Sequence, residues 1–259
     1  MDSSKSKLTF LGCNGGIGGN SRQTTCYAID EKIIIDAGTG LTTIPLEKLL
    51  LIDHIILTHA HMDHIACLPL IIDSVCSSRK YPITVWALPE VIKILKKHIF
   101  NEKIWPDFTK IPNKKNPFMT FNEITSNGID LCGFKIYPLP ANHGIPACGY
   151  LFKKNSKSIA FSGDTTDCNE FWEILKKDKS IKAVIVECSY TSKMIELTNI
   201  SMHLNVSKIV SNFSLISEKI LGIIVHRKPG LENEIKKELK QNITNRELLI
   251  PKPGDEYFF

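Results

Sequence analysis

Short β-branched apolar runs, interleaved with stretches of helical period, predict an α/β protein of two β-sheets packed face to face and covered by helices. The runs fall in two series, one in each half of the chain, with helical stretches between them. Hydrophobic residues make up 43% of 259 positions, enough to bury a sizeable core. Several of the runs end on an ionisable residue, the place where sites sit in sheet proteins with helical cover. A single doubly wound sheet satisfies the same alternation, so the pattern alone leaves that arrangement open.

In chain order, the expected strands are Leu8–Leu11, Thr25–Asp30, Lys32–Asp36, His54–Thr58, Ile83–Ala87, Phe134–Leu139, Cys148–Phe152, Ser158–Phe161, Ala183–Glu187 and Leu221–Val225. Each is a short run rich in β-branched and other apolar residues, followed by small or polar residues and often by a helical stretch. Apolar residues recur at helical spacing over Ile65–Val75, Glu90–Phe100, Glu170–Lys177, Val206–Ile216 and Glu232–Lys240. Asn101–Asn127, with Pro106, Pro112 and Pro117, shows neither period and is expected to be a large surface loop within one domain, residues 1–259. Trp105 and Phe108 in that loop suit either stacking on a base or burial as anchors.

With 32 Lys and Arg against 27 Asp and Glu, the net charge is +5, short of a dedicated nucleic-acid protein. The seven lysines from Lys93 to Lys115 read as a solvated helix face and loop. No run of 18 apolar residues offers a membrane span. Met1–Lys7 lacks the apolar core of a signal peptide, so a cytoplasmic location is expected. The eight cysteines are scattered without a CxxC pair, which suits reduced and mostly buried thiols.

The densest chemistry lies in Thr58-His59-Ala60-His61-Met62-Asp63-His64, with three histidines and one aspartate in six residues. A strand ending there places His59 and His61 at its tip, and Asp63 and His64 open the next helix, whose positive N-terminus favours a carboxylate. Imidazole nitrogen and carboxylate oxygen are the donors a divalent transition metal takes, and four in one turn suggest two ions. His143, Asp164 and His226 each close a later apolar run. His54 and His98 fall inside periodic segments and are expected to be structural or surface residues. Gly12–Gly19 lacks Gly-Lys-Ser/Thr and is followed by a strand, so it reads as a close-approach loop near the site and not as a phosphate loop.

The ordered set His59-x-His61-x-Asp63-His64, His143, Asp164 and His226 resembles the metallo-β-lactamase superfamily. The resemblance implies an αββα sandwich of two mixed β-sheets flanked by helices, with a dinuclear metal site. Asp36, in Ile33-Ile34-Ile35-Asp36-Ala37-Gly38, resembles the family's early aspartate, which supports a ligand histidine and does not itself ligate. The stretches Gly12–Asn20, His59–Pro69, Ile104–Phe108, Phe161–Thr166, Glu187–Tyr190, Met202–Leu204 and His226–Pro229 are similar to the class II 3′,5′-cyclic-nucleotide phosphodiesterases in their compact bacterial form.

That resemblance implies a hydrolase converting cyclic AMP or cyclic GMP to the nucleoside 5′-monophosphate, by attack of a hydroxide held between two divalent ions. Zinc is the first expectation for the ions, with manganese or iron as alternatives. It assigns His59, His61 and His143 to one ion and Asp63, His64 and His226 to the other, with Asp164 bridging. His203 is the candidate general acid, so Asp63, Asp164 and His203 are the catalytic candidates. A small cyclic nucleotide is the expected partner, with no membrane, nucleic acid disfavoured and a homodimer admitted. The rivals are an RNA 3′-processing endonuclease, a thioester or lactone hydrolase, and a metal-binding scaffold without catalysis. The endonucleases usually carry a helical arm between the ligands matching His143 and Asp164, and 164 − 143 = 21 positions leaves room for little beyond a strand hairpin.

Overall fold

The computed structural model describes residues 5–19 and 21–259; the expectations for Met1–Ser4 and Asn20 lie outside the described residues. The first half begins with β1 (Lys7–Gly12), β2 (Cys26–Ile29), β3 (Ile33–Ile35), α1 (Leu46–Leu49), β4 (His54–Ile56), α2 (Met62–Ile65) and α3 (Leu68–Val75). It continues with β5 (Ile83–Ala87), α4 (Pro89–His98), β6 (Pro112–Asn113), β7 (Asn116–Pro117) and β8 (Met119–Glu123). The second half holds β9 (Ile129–Leu131), β10 (Phe134–Pro140), β11 (Cys148–Lys154), β12 (Lys157–Phe161), α5 (Asn169–Lys177), β13 (Ile181–Glu187), α6 (Ile195–Ile200) and α7 (Val206–Phe213). It closes with β14 (Leu221–Val225), α8 (Glu232–Asn242), β15 (Leu248–Leu249) and β16 (Glu256–Phe258).

Two seven-stranded sheets result, ordered β16-β1-β2-β3-β4-β5-β8 and β15-β14-β13-β12-β11-β10-β9. Both are mixed: β1, β2 and β3 are antiparallel whereas β3, β4, β5 and β8 run parallel. In the second sheet β10, β11 and β12 are antiparallel, and β12 to β15 parallel. The single doubly wound alternative is thereby excluded.

Side-chain alternation along each strand builds three cores. Ile35 and Ile56 point between the sheets, where Phe10 and Tyr27 meet Phe152, Phe161 and Ile185. Their neighbours Ile34 and Ile55 point outward against Leu68, Ile72, Val91 and Leu95 of α3 and α4. On the far side, Val184, Val186 and Ile224 are covered by Trp172, Ile209, Phe213, Ile235 and Leu239 from α5, α7 and α8. Helix, sheet, sheet and helix therefore form the four layers of an αββα sandwich.

Two expectations are corrected. Asn101–Asn127 is not all loop: β6 and β7 pair as a hairpin within it, and β8 extends the first sheet in parallel with β5. Only Met119 of β8 is fully buried, so the segment carries no alternating signal. Trp105 and Phe108 are anchors, packed into the cluster under α3 and α4. The expected helix Ile65–Val75 is two helices, since Cys67 caps the second and Pro69 stands in its first turn. The lysines from Lys93 to Lys115 are all exposed, as a solvated face requires. All eight cysteines are free, six of them buried, and no described helix is long and apolar enough to cross a membrane.

Candidate metal centre

Parallel strands bring their C-terminal ends to one edge of the sandwich, and the ionisable residues that close them meet there. β4 leads into Thr58 and His59; His61 caps α2, which carries Asp63 and His64 in its single turn. His143 follows β10, Asp164 follows β12 and His226 follows β14. Gly163 before Asp164 has φ of +61°, and a Cβ there would lie 2.8 Å from the carbonyl of Cys148, so only glycine makes this bend without strain. In the β1–β2 connection, a Cβ on Gly15 would lie 2.7 Å from the His226 carbonyl. The close-approach reading of Gly12–Gly19 fits that contact.

The seven expected donors fall into two sets. His59, His61 and His143 form one; Asp63, His64, Asp164 and His226 form the other, each with donor atoms within 4.8 Å of one another, and a third group of His143, Asp164 and His203 overlaps both. His61 Nδ1 lies 3.1 Å from His59 Nε2 and 3.0 Å from His143 Nε2. Asp164 Oδ2 stands between the sets, 3.7 Å from His59 Nε2, 3.2 Å from His64 Nε2 and 3.3 Å from His226 Nε2. Asp63 Oδ2 is 3.6 Å from His226 Nε2. All seven residues singled out as ligands in the sequence therefore converge on one place.

The outer ring nitrogens are committed elsewhere. His64 Nδ1 donates to Asp36 Oδ2 at 2.7 Å, and His143 Nδ1 donates to the Met202 carbonyl at 3.0 Å. His59 Nδ1 is 3.0 Å from the Thr58 hydroxyl, and His226 Nδ1 is 3.1 Å from that of Thr25. Protons held on these atoms leave the Nε2 lone pairs pointing inward, the tautomer a metal needs. His64 Nε2 is buried, and its 3.2 Å contact with Asp164 Oδ2 lacks hydrogen-bond geometry.

Electrostatics point the same way. Burial works against charge on His64, yet the carboxylates of Asp164 and Asp36 carry its pKa well above the ordinary value. Burial would raise Asp164, but the imidazoles of His226 and His64 outweigh it and hold that carboxyl well below its usual range. Burial keeps His59 well below and pushes His226 down to about 3. The pocket is thus a field of buried carboxylates that positive charge satisfies, with His64 held toward its charged form and His59 and His226 held neutral. That donor set fits two divalent cations.

His203 stands at the edge of this cluster, its Nδ1 2.7 Å from Glu187 Oε1 and 3.9 Å from Asp164 Oδ2. Burial would lower its pKa, but the Glu187 carboxylate outweighs burial and raises it. The Glu187 oxygens also accept the Thr165 amide at 3.0 Å and the Ser189 hydroxyl at 2.8 Å. In the sequence Glu187 stands out only as the end of an expected strand and within a flanking stretch. It closes the apolar run Ala183–Glu187, the placement that flagged Asp164 and His226, and could have been found by that rule. Lys228, with Nζ 3.3 Å from His226 Nε2, offers no such signal. His54 sits against Trp86, and His98 is exposed in the last turn of α4.

A family model described as the beta-lactamase superfamily domain matches residues 31–226, from the β2–β3 turn to the last donor. The chain belongs to the metallo-β-lactamase superfamily. Among relatives of this superfamily, 3′,5′-cyclic-nucleotide phosphodiesterase 1 of Saccharomyces cerevisiae is 28% identical over 216 residues, 68% of this chain and 58% of that protein. A probable 3′,5′-cyclic-nucleotide phosphodiesterase of Yersinia pestis is 26% identical over 151 residues, 52% of this chain and 42% of that protein. A ribonuclease Z of Clostridium kluyveri is 30% identical over 189 residues, 68% of this chain and 59% of that protein. The chain thus spans less than two thirds of each of these curated relatives. Unliganded yeast PDE1 superposes with a TM-score of 0.82 at 20% identity, covering 99% of this chain and 100% of that one. A metallo-β-lactamase fold protein of Bacillus subtilis gives 0.79 at 18%, covering 98% and 100%.

Proposed function

We propose that this metallo-β-lactamase superfamily hydrolase is a metal-dependent phosphodiesterase acting on 3′,5′-cyclic nucleotides, cyclic AMP or cyclic GMP, and releasing the nucleoside 5′-monophosphate. The observation that carries the reading is His203, a buried imidazole on the Glu187 carboxylate at 2.7 Å, facing Asp164 across 3.9 Å. Phosphodiester hydrolysis needs such a proton source beside the anion-binding centre, because the leaving alkoxide is a strong base.

Two divalent cations, zinc by the histidine-rich donors, would be held by His59, His61 and His143 and by Asp63, His64 and His226, with Asp164 shared, and would supply charge neutralisation and acidified water. His203 does the proton work. With Nδ1 turned to Glu187, Nε2 is the ring atom free to give its proton to the 3′ oxygen as the P–O3′ bond breaks. Glu187 keeps the ring charged until then, and Asp36, Thr25 and the Met202 carbonyl hold His64, His226 and His143 in place. β11 and β12 fill the interval between His143 and Asp164, which supports a small substrate over a tRNA clasped by an arm at that position.

The test is incubation of the zinc- or manganese-loaded protein with 3′,5′-cyclic AMP, with Asp164→Ala as control and chromatographic resolution of products. Metal-dependent 5′-AMP, absent from the control, is expected. No nucleotide product while bis-p-nitrophenyl phosphate is still hydrolysed would overturn the substrate, and trimming of a precursor tRNA 3′ end instead would transfer the chain to the ribonuclease Z reading.

A further inference from the structure

A groove of about 560 Å³ lies between the β1–β2 connection, the start of α8 and the segment before β16. Arg22, Arg227, Lys236 and Lys252 line it, against the single carboxylate of Glu232. That carboxylate is already committed, with Oε1 2.7 Å from Arg22 Nε and Oε2 accepting the Gly230 amide at 2.8 Å. Among the described residues, no carboxylate comes within ion-pair distance of Arg227, Lys236 or Lys252. Asp255 accepts the Lys252 backbone amide at 2.9 Å but does not line the groove.

Arg227 is the decisive residue. It is 7% exposed; Nη2 donates to the Pro251 carbonyl at 3.0 Å, and Nε is buried with no partner. A guanidinium withdrawn from water without a counter-charge is costly, so such groups are normally paired. The first turn of the eleven-residue α8 opens on the same groove through Glu232 and Asn233, and its N-cap Leu231 supplies no side-chain cap. None of the seven donor residues of the metal centre lines the groove, although Arg227 directly follows His226.

We propose that this groove is a second anion site, binding a phosphoryl group apart from the metal centre. Guanidinium and ammonium groups around a helix N-terminus match the several acceptor oxygens of a phosphoryl group. The volume exceeds what a bare phosphate fills and suits a phosphorylated small molecule. The inference does not depend on the phosphodiesterase reading.

Calorimetry in phosphate-free buffer tests it, with inorganic phosphate, 5′-AMP and adenosine as probes on the metal-loaded protein. Phosphate and 5′-AMP are expected to bind Asp164→Ala within about twofold of wild type, with adenosine silent. The exposed pair Lys236→Glu/Lys252→Glu should weaken binding by about tenfold or more, while Lys237→Glu/Lys240→Glu on the same helix leaves it intact. Equal affinity for phosphate and 5′-AMP assigns the site to free phosphate, and tighter 5′-AMP to a nucleotide; either supports it. Binding that vanishes in Asp164→Ala belongs to the metal centre and overturns the proposal, as does equal weakening by both lysine pairs or by neither.

Discussion

Glu187 Oε1 accepts from His203 Nδ1 at 2.7 Å, so one buried carboxylate fixes both the charge and the orientation of the imidazole beside Asp164. The same oxygen takes the amide of Thr165, the residue after Asp164. Glu187 thereby ties His203 and the segment carrying Asp164 to the end of one strand, β13.

Replacing that carboxylate by its amide separates charge from shape. Glu187→Gln keeps an oxygen for Thr165, and the Ser189 hydroxyl can turn to its second acceptor, the His226 carbonyl at 3.2 Å. Metal content should therefore stay near wild type. Turnover of a cyclic nucleotide should fall roughly 10- to 100-fold, since a neutral His203 keeps its one proton on Nδ1 and has none on Nε2 to give. Bis-p-nitrophenyl phosphate, whose leaving group needs no proton, should lose far less. Equal losses on both substrates would remove His203 from the acid role.

Asp36 acts on the metal centre through His64. Its Oδ2 holds His64 Nδ1 at 2.7 Å, and its oxygens also take the Thr58 amide and hydroxyl at 2.8 Å each. The residue has φ of +57°, a conformation Asn also tolerates, so Asp36→Asn tests the charge without straining the backbone. Loss of such an outer carboxylate typically weakens metal binding about 10- to 100-fold. Chelator competition should show that loss with the folded state retained. Unchanged affinity would mean that His64 is oriented by packing alone.

The residues that made this centre legible share one property: each closes an apolar run or lies in one short turn. His59, His61, Asp63 and His64 stand within six positions, and Asp164 and His226 end β-branched runs, so local pattern reveals them. The elements that stayed hidden depend on distant partners. β16 is three residues whose register on β1 joins the two ends of the chain, Lys7 opposite Phe258. β8 buries only Met119 and gains its place from pairing with β5 across 36 positions, Ile83 opposite Met119. The break between α2 and α3 was readable from Pro69, but the continuous apolar period across Ile65–Val75 masked it. The two series of runs suggested two packed sheets, but only the resemblance favoured them over a single doubly wound sheet, whose strand alternation is the same.

Away from the site, Asp178 closes α5 and couples it to two strands. Its Oδ2 holds Lys153 Nζ of β11 at 2.6 Å, and its Oδ1 takes the Ser180 amide at 2.9 Å and hydroxyl at 2.6 Å before β13 begins. Partial burial would raise its pKa, but the bonds from Lys153 and Ser180 outweigh burial and lower it. A carboxylate whose folded pKa lies below its unfolded value of about 3.9 stabilises the fold fully above that pH. The contribution fades as pH falls through the folded pKa, because the folded state then takes up the proton that the unfolded chain already holds. Asp178→Ala should therefore cost about 1–2 kcal/mol near pH 7, in line with the loss of charge-assisted bonds at a partly exposed site. Urea unfolding of both proteins at intervals from pH 7 to pH 3 should show the gap closing toward the acid end. A gap that stays constant would mean that Asp178 contributes through packing at the helix end, with its charge immaterial.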